Sequence, residues 1–397
     1  MGISPRPAER GADPAERGAD PAGCGADPAG CGAAPPAGFG AEPGGARPAL
    51  KSLLRILTLL AMNETLGTLT AADSSLLYDI YRWGIALIKG IQTVETPALT
   101  VLMKALTALG TELFYIPIIL FIFWCVDEKL GLRLAVLILL SAWINVFFKS
   151  LLRQPRPYNL DPSVMRAFEP SYGIPSGHTQ HSLVFWGASI GLAVRRRPGF
   201  PLPLLIVPCF FMAAIPFTRL YLGVHFPTDI LAGWVLGGII LAAFFALADR
   251  IACLLDAGGI RSRLIAAAAL AFLMNASGAD RSLGGMFLGL CGGYSLMRAR
   301  IPFAAGGTAR RGRALILAGR YVLGFAGAAA VYLALRRLLP GEASFLAEIP
   351  AWGAASPYYE LGRFLRCGLL GLWASAGAPW LFLRLGLAAA ASERLKD

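Results

Sequence analysis

Arg219-Leu-Tyr-Leu-Gly-Val-His225-Phe-Pro-Thr-Asp229 leads without a break into an apolar run that continues to about residue 248. A run of that length approaches the roughly 20 residues needed to cross a bilayer. An arginine, a histidine and a carboxylate are thus gathered where a membrane-spanning segment begins. Two earlier stretches repeat the arrangement. Lys149-Ser-Leu-Leu-Arg-Gln-Pro-Arg156-Pro157 follows the apolar segment 131–149, and Pro175-Ser176-Gly177-His178 precedes the apolar segment 179–195. Segments 112–126 and 201–218 are further spanning candidates, and 263–276, 283–297, 314–335 and 364–386 are shorter or richer in Gly and Ala. The expected fold class is all-α: a polytopic transmembrane helical bundle, with a six-helix core carrying the polar clusters and about four extra C-terminal transmembrane helices.

Composition agrees with that class. The chain of 397 residues is 56% hydrophobic and 15% charged, with a mean hydropathy of +0.59. A net charge of +12 raises the question of nucleic acid. The arginines, however, sit at the ends of apolar runs and form no basic stripe with interleaved aromatics, so nucleic-acid binding is excluded. Cys125, Cys209, Cys253, Cys291 and Cys367 stand singly in or beside apolar runs and read as small buried hydrophobes. The total of seven is odd, and no metal-type pairs occur.

Residues 8–45 carry a seven-residue repeat, Arg10-Gly-Ala-Asp-Pro-Ala-Glu and its successors, with Cys24 and Cys31 heading later units. Gly and Pro in every unit exclude a coiled coil, and so little apolar surface predicts disorder. No uninterrupted apolar core of a signal peptide is present there, and translation from Met62 would leave the repeat out of the protein. Expected units are 1–61 as low-complexity linker, 62–254 as the membrane domain with the polar clusters, and 255–397 as C-terminal helices with no readable motif. Residues 76–109 mix Tyr78, Ile80, Tyr81, Trp83, Leu87 and Ile88 with Asp79, Arg82 and Lys89. That pattern predicts an amphipathic helix on the interface, then a short helix over 96–109.

Positive charge orients the segments. Lys129 and Arg133, Arg195 to Arg197, Arg261 and Arg263, Arg298 and Arg300, and Arg310, Arg311 and Arg313 fall on one side if each segment crosses. Those loops are expected to face the cytoplasm. The loops 150–178 and 219–228, with all the polar clusters, then face the extracytoplasmic side of a cytoplasmic membrane.

Phosphoryl transfer needs cations around the transferred group, an in-line nucleophile and an acid for the leaving oxygen. Lys149, Arg156 and Arg219 supply charge, the arginines in bidentate form. Ser176 and Gly177 at a helix start can present backbone N–H groups to phosphate. His178 and His225 are two of only three histidines, and can serve as acid and nucleophile. Asp229 lies four residues after His225, on the same helical face, where it can fix the imidazole tautomer. Taken singly, Lys149 reads as a snorkelling residue, Arg156-Pro157 as a loop dipeptide and Ser176 as a helix cap. Together, ionisable residues on one membrane face are too costly to attribute to topology. His181 reads as a neighbour of His178. Arg153, Arg166 and Glu169 read as solvated or head-group contacts. The clustered cations oppose a bound dication, so no metal and no cofactor is expected.

In this order, Lys-x6-Arg-Pro, Pro-Ser-Gly-His and Arg-x5-His-x3-Asp resemble the signature of the type-2 phosphatidic acid phosphatase family, which shares its site with vanadium haloperoxidases. The resemblance covers about residues 110–250, and none is read in 1–61 or about 255–397. It implies a metal-independent helical lipid-phosphate phosphatase. His225 matches the family's nucleophile, which forms a phosphohistidine, Asp229 its charge-relay partner, and His178 the acid for the leaving group. Lys149, Arg156, Ser176, Gly177 and Arg219 match the phosphate-binding positions. Thr218 departs from the family's usual serine but keeps a hydroxyl. The expected partners are a lipid phosphate substrate and membrane lipids. Phosphotransfer to another acceptor, haloperoxidase chemistry, and lipid transport through a disabled site are the alternatives. For the C-terminal region, Gly284, Gly285, Gly289, Gly292 and Gly293 suit close helix packing, and an oligomer interface is one role open to it.

Overall fold

The computed structural model describes residues 71–196, 201–278, 280–306, 312–341, 344 and 356–388. The repeat, Cys24, Cys31, the Met62 start, Arg197, Arg310 and Arg311 lie outside them. Every regular element among the described residues is a helix. The α-helices in chain order are α1 (Ala71–Gln92), α2 (Pro97–Ala108), α3 (Glu112–Phe121), α4 (Glu128–Leu152), α5 (Pro157–Leu160), α6 (Gly177–Arg196), α7 (Ile206–Tyr221), α8 (Pro227–Ala257), α9 (Gly259–Ala276), α10 (Arg281–Arg300), α11 (Arg313–Leu338), α12 (Tyr359–Leu372) and α13 (Ala378–Arg384), with short π- or 3-10 turns at Ile122–Val126, Pro162–Val164, Leu202–Leu205 and Trp373–Gly377.

Among the described residues, five helical segments are long and apolar enough to cross a membrane: Glu128–Leu160, Leu202–Tyr221, Pro227–Ala257, Gly259–Ala276 and Arg313–Leu338. The expected segment 179–195 forms α6 but is not among them. Its first turns bury Thr179, Gln180, His181 and Ser182, which lower its hydropathy because they serve packing against other helices rather than lipid. At the N-terminal end, α1 and α2 are bent by 119°. Thr96 caps α2 by accepting from the Leu99 N–H, and Pro97 occupies its first turn, so the chain restarts rather than continues.

The helices alternate in direction. The end of α4, the start of α6, the end of α7 and the start of α8 meet at one end of the bundle, and the loop 153–176 lies over them. At the other end Arg133 pairs with Asp249 at 2.7 Å, Arg196 with Asp127 at 2.9 Å, and Arg263 with Asp256 at 2.7 Å. Between the ends, Tyr115, Ile119, Leu134, Leu137, Val184 and Phe185 form the apolar centre.

The C-terminal helices join this core through two buried groups. Trp124, fully buried, donates from Nε1 to Ala374 O at 2.8 Å and packs on Gly324 of α11. Arg320 of α11 is also fully buried and donates to the carbonyls of Leu387 (2.8 Å), Trp124 (3.1 Å) and Ala305 (2.7 Å). Among the described cysteines Cys125 is buried, whereas Cys209 and Cys253 lie exposed on helix surfaces, where hydrocarbon suits them as well as a core does.

The glycines of α10 divide by face. A Cβ on Gly285 would stand 2.2 Å from Phe364 O, and one on Gly289 1.8 Å from Gly368 O, so α10 and α12 meet backbone to backbone. Gly292 faces only Leu264 and takes no part in that contact. Gly289→Leu is therefore expected to destabilise the protein by about 1–3 kcal/mol or more. Gly238→Ala, where nothing lies within 4 Å, is expected to be neutral or mildly stabilising through helix propensity. Thermal unfolding in detergent compares the two.

Candidate active site

Asp229 is the junction of the site. Its Oδ2 accepts from His225 Nδ1 and from the Phe226 N–H, each at 3.0 Å, and its backbone carbonyl accepts from the Ser176 N–H at 3.0 Å. A carboxylate accepting from Nδ1 fixes the imidazole with its proton on that nitrogen and leaves Nε2 as the lone-pair nitrogen. Arg156 Nη1 lies 3.4 Å from that Nε2. His225 is 1% exposed. Burial, then the charges of Lys149, Arg156 and Arg219, hold its pKa well below the ordinary histidine value.

The arginines are tightly held. Arg156 donates from Nε to Ser171 O at 2.6 Å, from Nη1 to Val224 O at 2.8 Å and from Nη2 to Ser171 Oγ at 2.9 Å. Arg219 Nη1 donates to Thr107 Oγ1 at 2.6 Å, and its Nε is buried with no hydrogen-bond partner. Lys149, in the last turn of α4, donates to Tyr172 O at 2.5 Å and Gly173 O at 3.3 Å. Gly173 has no room for a side chain, since a Cβ would lie 2.8 Å from Pro155 O and 3.1 Å from Asp229 Oδ2.

On the acid side, α6 begins at Gly177, and its first N–H groups have no carbonyl a turn earlier in the helix. The Ser176 N–H is taken by Asp229, and Ser176 Oγ accepts from Thr179 Oγ1 at 3.0 Å. The expectation that both Ser176 and Gly177 present N–H groups to a ligand therefore narrows to Gly177 and the residues after it. A buried polar network docks α6 on α4: Asn145 Nδ2 donates to Gln180 Oε1, Gln180 Nε2 to Ser141 Oγ, and Ser141 Oγ pairs with His181 Nδ1, at 2.9, 2.9 and 2.8 Å. His181 is thus a buried partner of Ser141, and both it and His178, one turn earlier, line the cleft. Thr218 Oγ1 donates to Ile215 O at 2.6 Å, so the hydroxyl kept at this position serves its own helix.

A cleft of about 480 Å³ opens over these groups, its wall carrying Lys149, Gly177, His178, His225 and Glu169. Asp280 and Leu283 of the C-terminal region also line it. All the residues singled out from the sequence meet here, directly or through one contact. Glu169 was expected in solvent or against head groups and is instead part of the site: Oε2 lies 2.8 Å from Arg156 Nη2 and 4.0 Å from His225 Nε2, and Oε1 pairs with Arg219 Nη2. Sequence offered a signal for the supporting network, since Ser141, Asn145 and Lys149 recur every four residues along an apolar helix. Nothing marked Glu169 out from the other charges of its loop.

Residues 130–252 match the family model of the PAP2 superfamily. The chain carries a PAP2 superfamily domain. Residues 282–391 match a second model, the transmembrane extension of PAP2 superfamily phosphatases, so the resemblance reaches well past residue 250, where the sequence alone left it. Over 150 residues the chain is 32% identical to sphingosine-1-phosphate phosphatase 1 of Rattus norvegicus, covering 36% of this chain and 34% of that relative. It therefore spans about a third of that relative's length. An undecaprenyl-diphosphatase of Sulfolobus acidocaldarius is 27% identical over 158 residues, 39% of this chain and 73% of the relative. Among solved structures, a transmembrane PAP2-type phosphatidylglycerolphosphate phosphatase of Bacillus subtilis is similar at 22% identity and a TM-score of 0.40, covering 51% of this chain and 96% of that one.

In the PAP2 domain the neutral His225 is expected to carry its proton on Nδ1 and to stay neutral as pH falls through the ordinary histidine range. Imidazole 15N spectra of the histidine-labelled protein check this, with His178 and His181 variants to assign the three signals. A protonated His225 at neutral pH would contradict it.

Proposed function

We propose that the chain hydrolyses phosphomonoesters or diphosphates of lipids without a metal, through a phosphohistidine on His225. The observation that carries this reading is the bridged imidazole: Asp229 holds Nδ1, and Nε2 lies 3.4 Å from the Arg156 guanidinium. Nε2 attacks phosphorus in line, the bond to the lipid oxygen breaks, and His178 gives that oxygen its proton. Water then attacks the phosphohistidine, with His178 now accepting the proton, and phosphate leaves. Lys149, Arg156, Arg219 and the start of α6 at Gly177 neutralise the equatorial oxygens throughout. Asp229 stabilises the imidazole as it gains charge.

Amphiphiles fit a cleft at the end of a membrane bundle, because the tail can stay in hydrocarbon while the head group reaches the cations. Relatives named as sphingosine-1-phosphate phosphatase and undecaprenyl-diphosphatase support a lipid phosphate substrate. The arginine-rich loops at the opposite end support an extracytoplasmic site in a cytoplasmic membrane. We assign catalysis to residues 62–254 and a supporting role to 255–397, whose Asp280 and Leu283 complete the cleft wall.

Purified protein in detergent with EDTA is expected to release phosphate from a panel of lipid phosphates, and His225→Ala to lose that release by several orders of magnitude. His178→Ala should lose about 10²–10⁴-fold on an alkyl phosphate and much less on p-nitrophenyl phosphate, whose leaving group needs no proton. No release from folded parent protein would overturn the hydrolase and favour phosphotransfer or transport.

A further inference from the structure

Glu169 occupies the place a substrate phosphate needs. Arg156 and Arg219 are 1% and 2% exposed and do not line the cleft; the Glu169 side chain, 26% exposed, does. Its carboxylate bridges one Nη2 of each guanidinium, and one of its oxygens lies 4.0 Å from His225 Nε2. A phosphoryl group attacked by Nε2 must place its oxygens on those same guanidiniums. Carboxylate and phosphate therefore compete for one set of donors, and the arginines are satisfied before any substrate arrives. Glu169 stands in the loop 161–176 rather than in a helix, so its side chain can swing into the cleft without unpacking the bundle.

We propose that Glu169 is an internal anion that occupies the phosphate cradle, so that a substrate phosphate binds only by displacing its carboxylate from the two guanidiniums. The inference rests on the phosphatase reading of the site. A phosphomonoester or a terminal diphosphate brings close to two negative charges near neutral pH, and a phosphodiester brings one. Competition for the cradle weakens either ligand by the same factor, set by the fraction of time the cradle is free. Once displaced, the carboxylate stays near the cleft, where its charge opposes a dianion more than a monoanion. The residue thus raises the KM for the substrate.

The test is calorimetric binding to the full chain in detergent at pH 8, with inorganic phosphate as dianion and dimethyl phosphate as monoanionic diester. An occupant filling the cradle nine-tenths of the time weakens a competing ligand about tenfold. Glu169→Gln is therefore expected to bind inorganic phosphate about tenfold tighter or better, and to tighten dimethyl phosphate by about tenfold but by no larger factor than inorganic phosphate. In turnover, its KM for a monoester should fall by more than its kcat changes. Glu169→Asp keeps the charge but is one methylene short of the bridge; its affinities should lie between, and it carries the test if Glu169→Gln fails to fold. Unchanged affinities for both ligands in a folded variant would overturn the proposal, as would tightening of dimethyl phosphate alone. Binding needs no turnover, so absent phosphate release with these affinities as expected would sink the hydrolase alone.

Discussion

Two guanidinium groups at the end of an apolar bundle have to be paired and kept charged, and much of the surrounding architecture answers to that demand. Moving an ion out of water costs several kcal/mol even after relaxation, so each N–H of Arg156 and Arg219 calls for an acceptor. Ser171, Val224 and Thr107 supply them from three different parts of the chain. The result is that the loop 153–176, the turn before α8 and the end of α2 are drawn onto one another by the same pair of side chains. Arg219 Nε, buried without a partner among the described residues, is a donor this arrangement leaves unsatisfied.

Around that centre, α1 and α2 act as a clamp on the loop. Gln92 Nε2 donates to Val164 O and Tyr221 O, both at 2.8 Å, and Lys89 pairs with Asp161 at 2.6 Å. Arg166 and Glu95 add a pair at 2.6 Å, which holds the Glu95 carboxyl below its ordinary pKa. Of the residues that make these bonds, Lys89 was legible as the polar side of an amphipathic helix and Arg166 as a solvated or head-group contact. Their partners lie far along the chain, and no local pattern connects them.

What the sequence made legible follows from contrast. A lysine, arginine or histidine stands out in a chain of hydrocarbon, and its placement at the end of an apolar run tells where the bundle is wet. Hence His225, Asp229, His178 and the three cations could be gathered before any fold was known. Glu169 lacked that contrast because its loop is polar throughout, and its meaning depends on Arg219, 50 residues away. The C-terminal helices were opaque for another reason. Their information lies in close approach of backbones at Gly285 and Gly289, and glycines of that kind read the same whether they face a helix or lipid. α6 fell below the expected hydropathy because its first turns are given over to the buried Gln180, His181 and Ser182.

The cleft has chemically unlike walls. One side carries Lys149, His178 and His225, and another Val146 and Leu283. Since Asp229 ties the turn before α8 to the start of α6, those two helices cannot part to admit a ligand without disturbing the histidine itself. A ligand has to enter with that pair closed. For the proposed lipid phosphate, which would diffuse within the plane of the bilayer, turnover would respond to its mole fraction among lipids rather than to its concentration in bulk water.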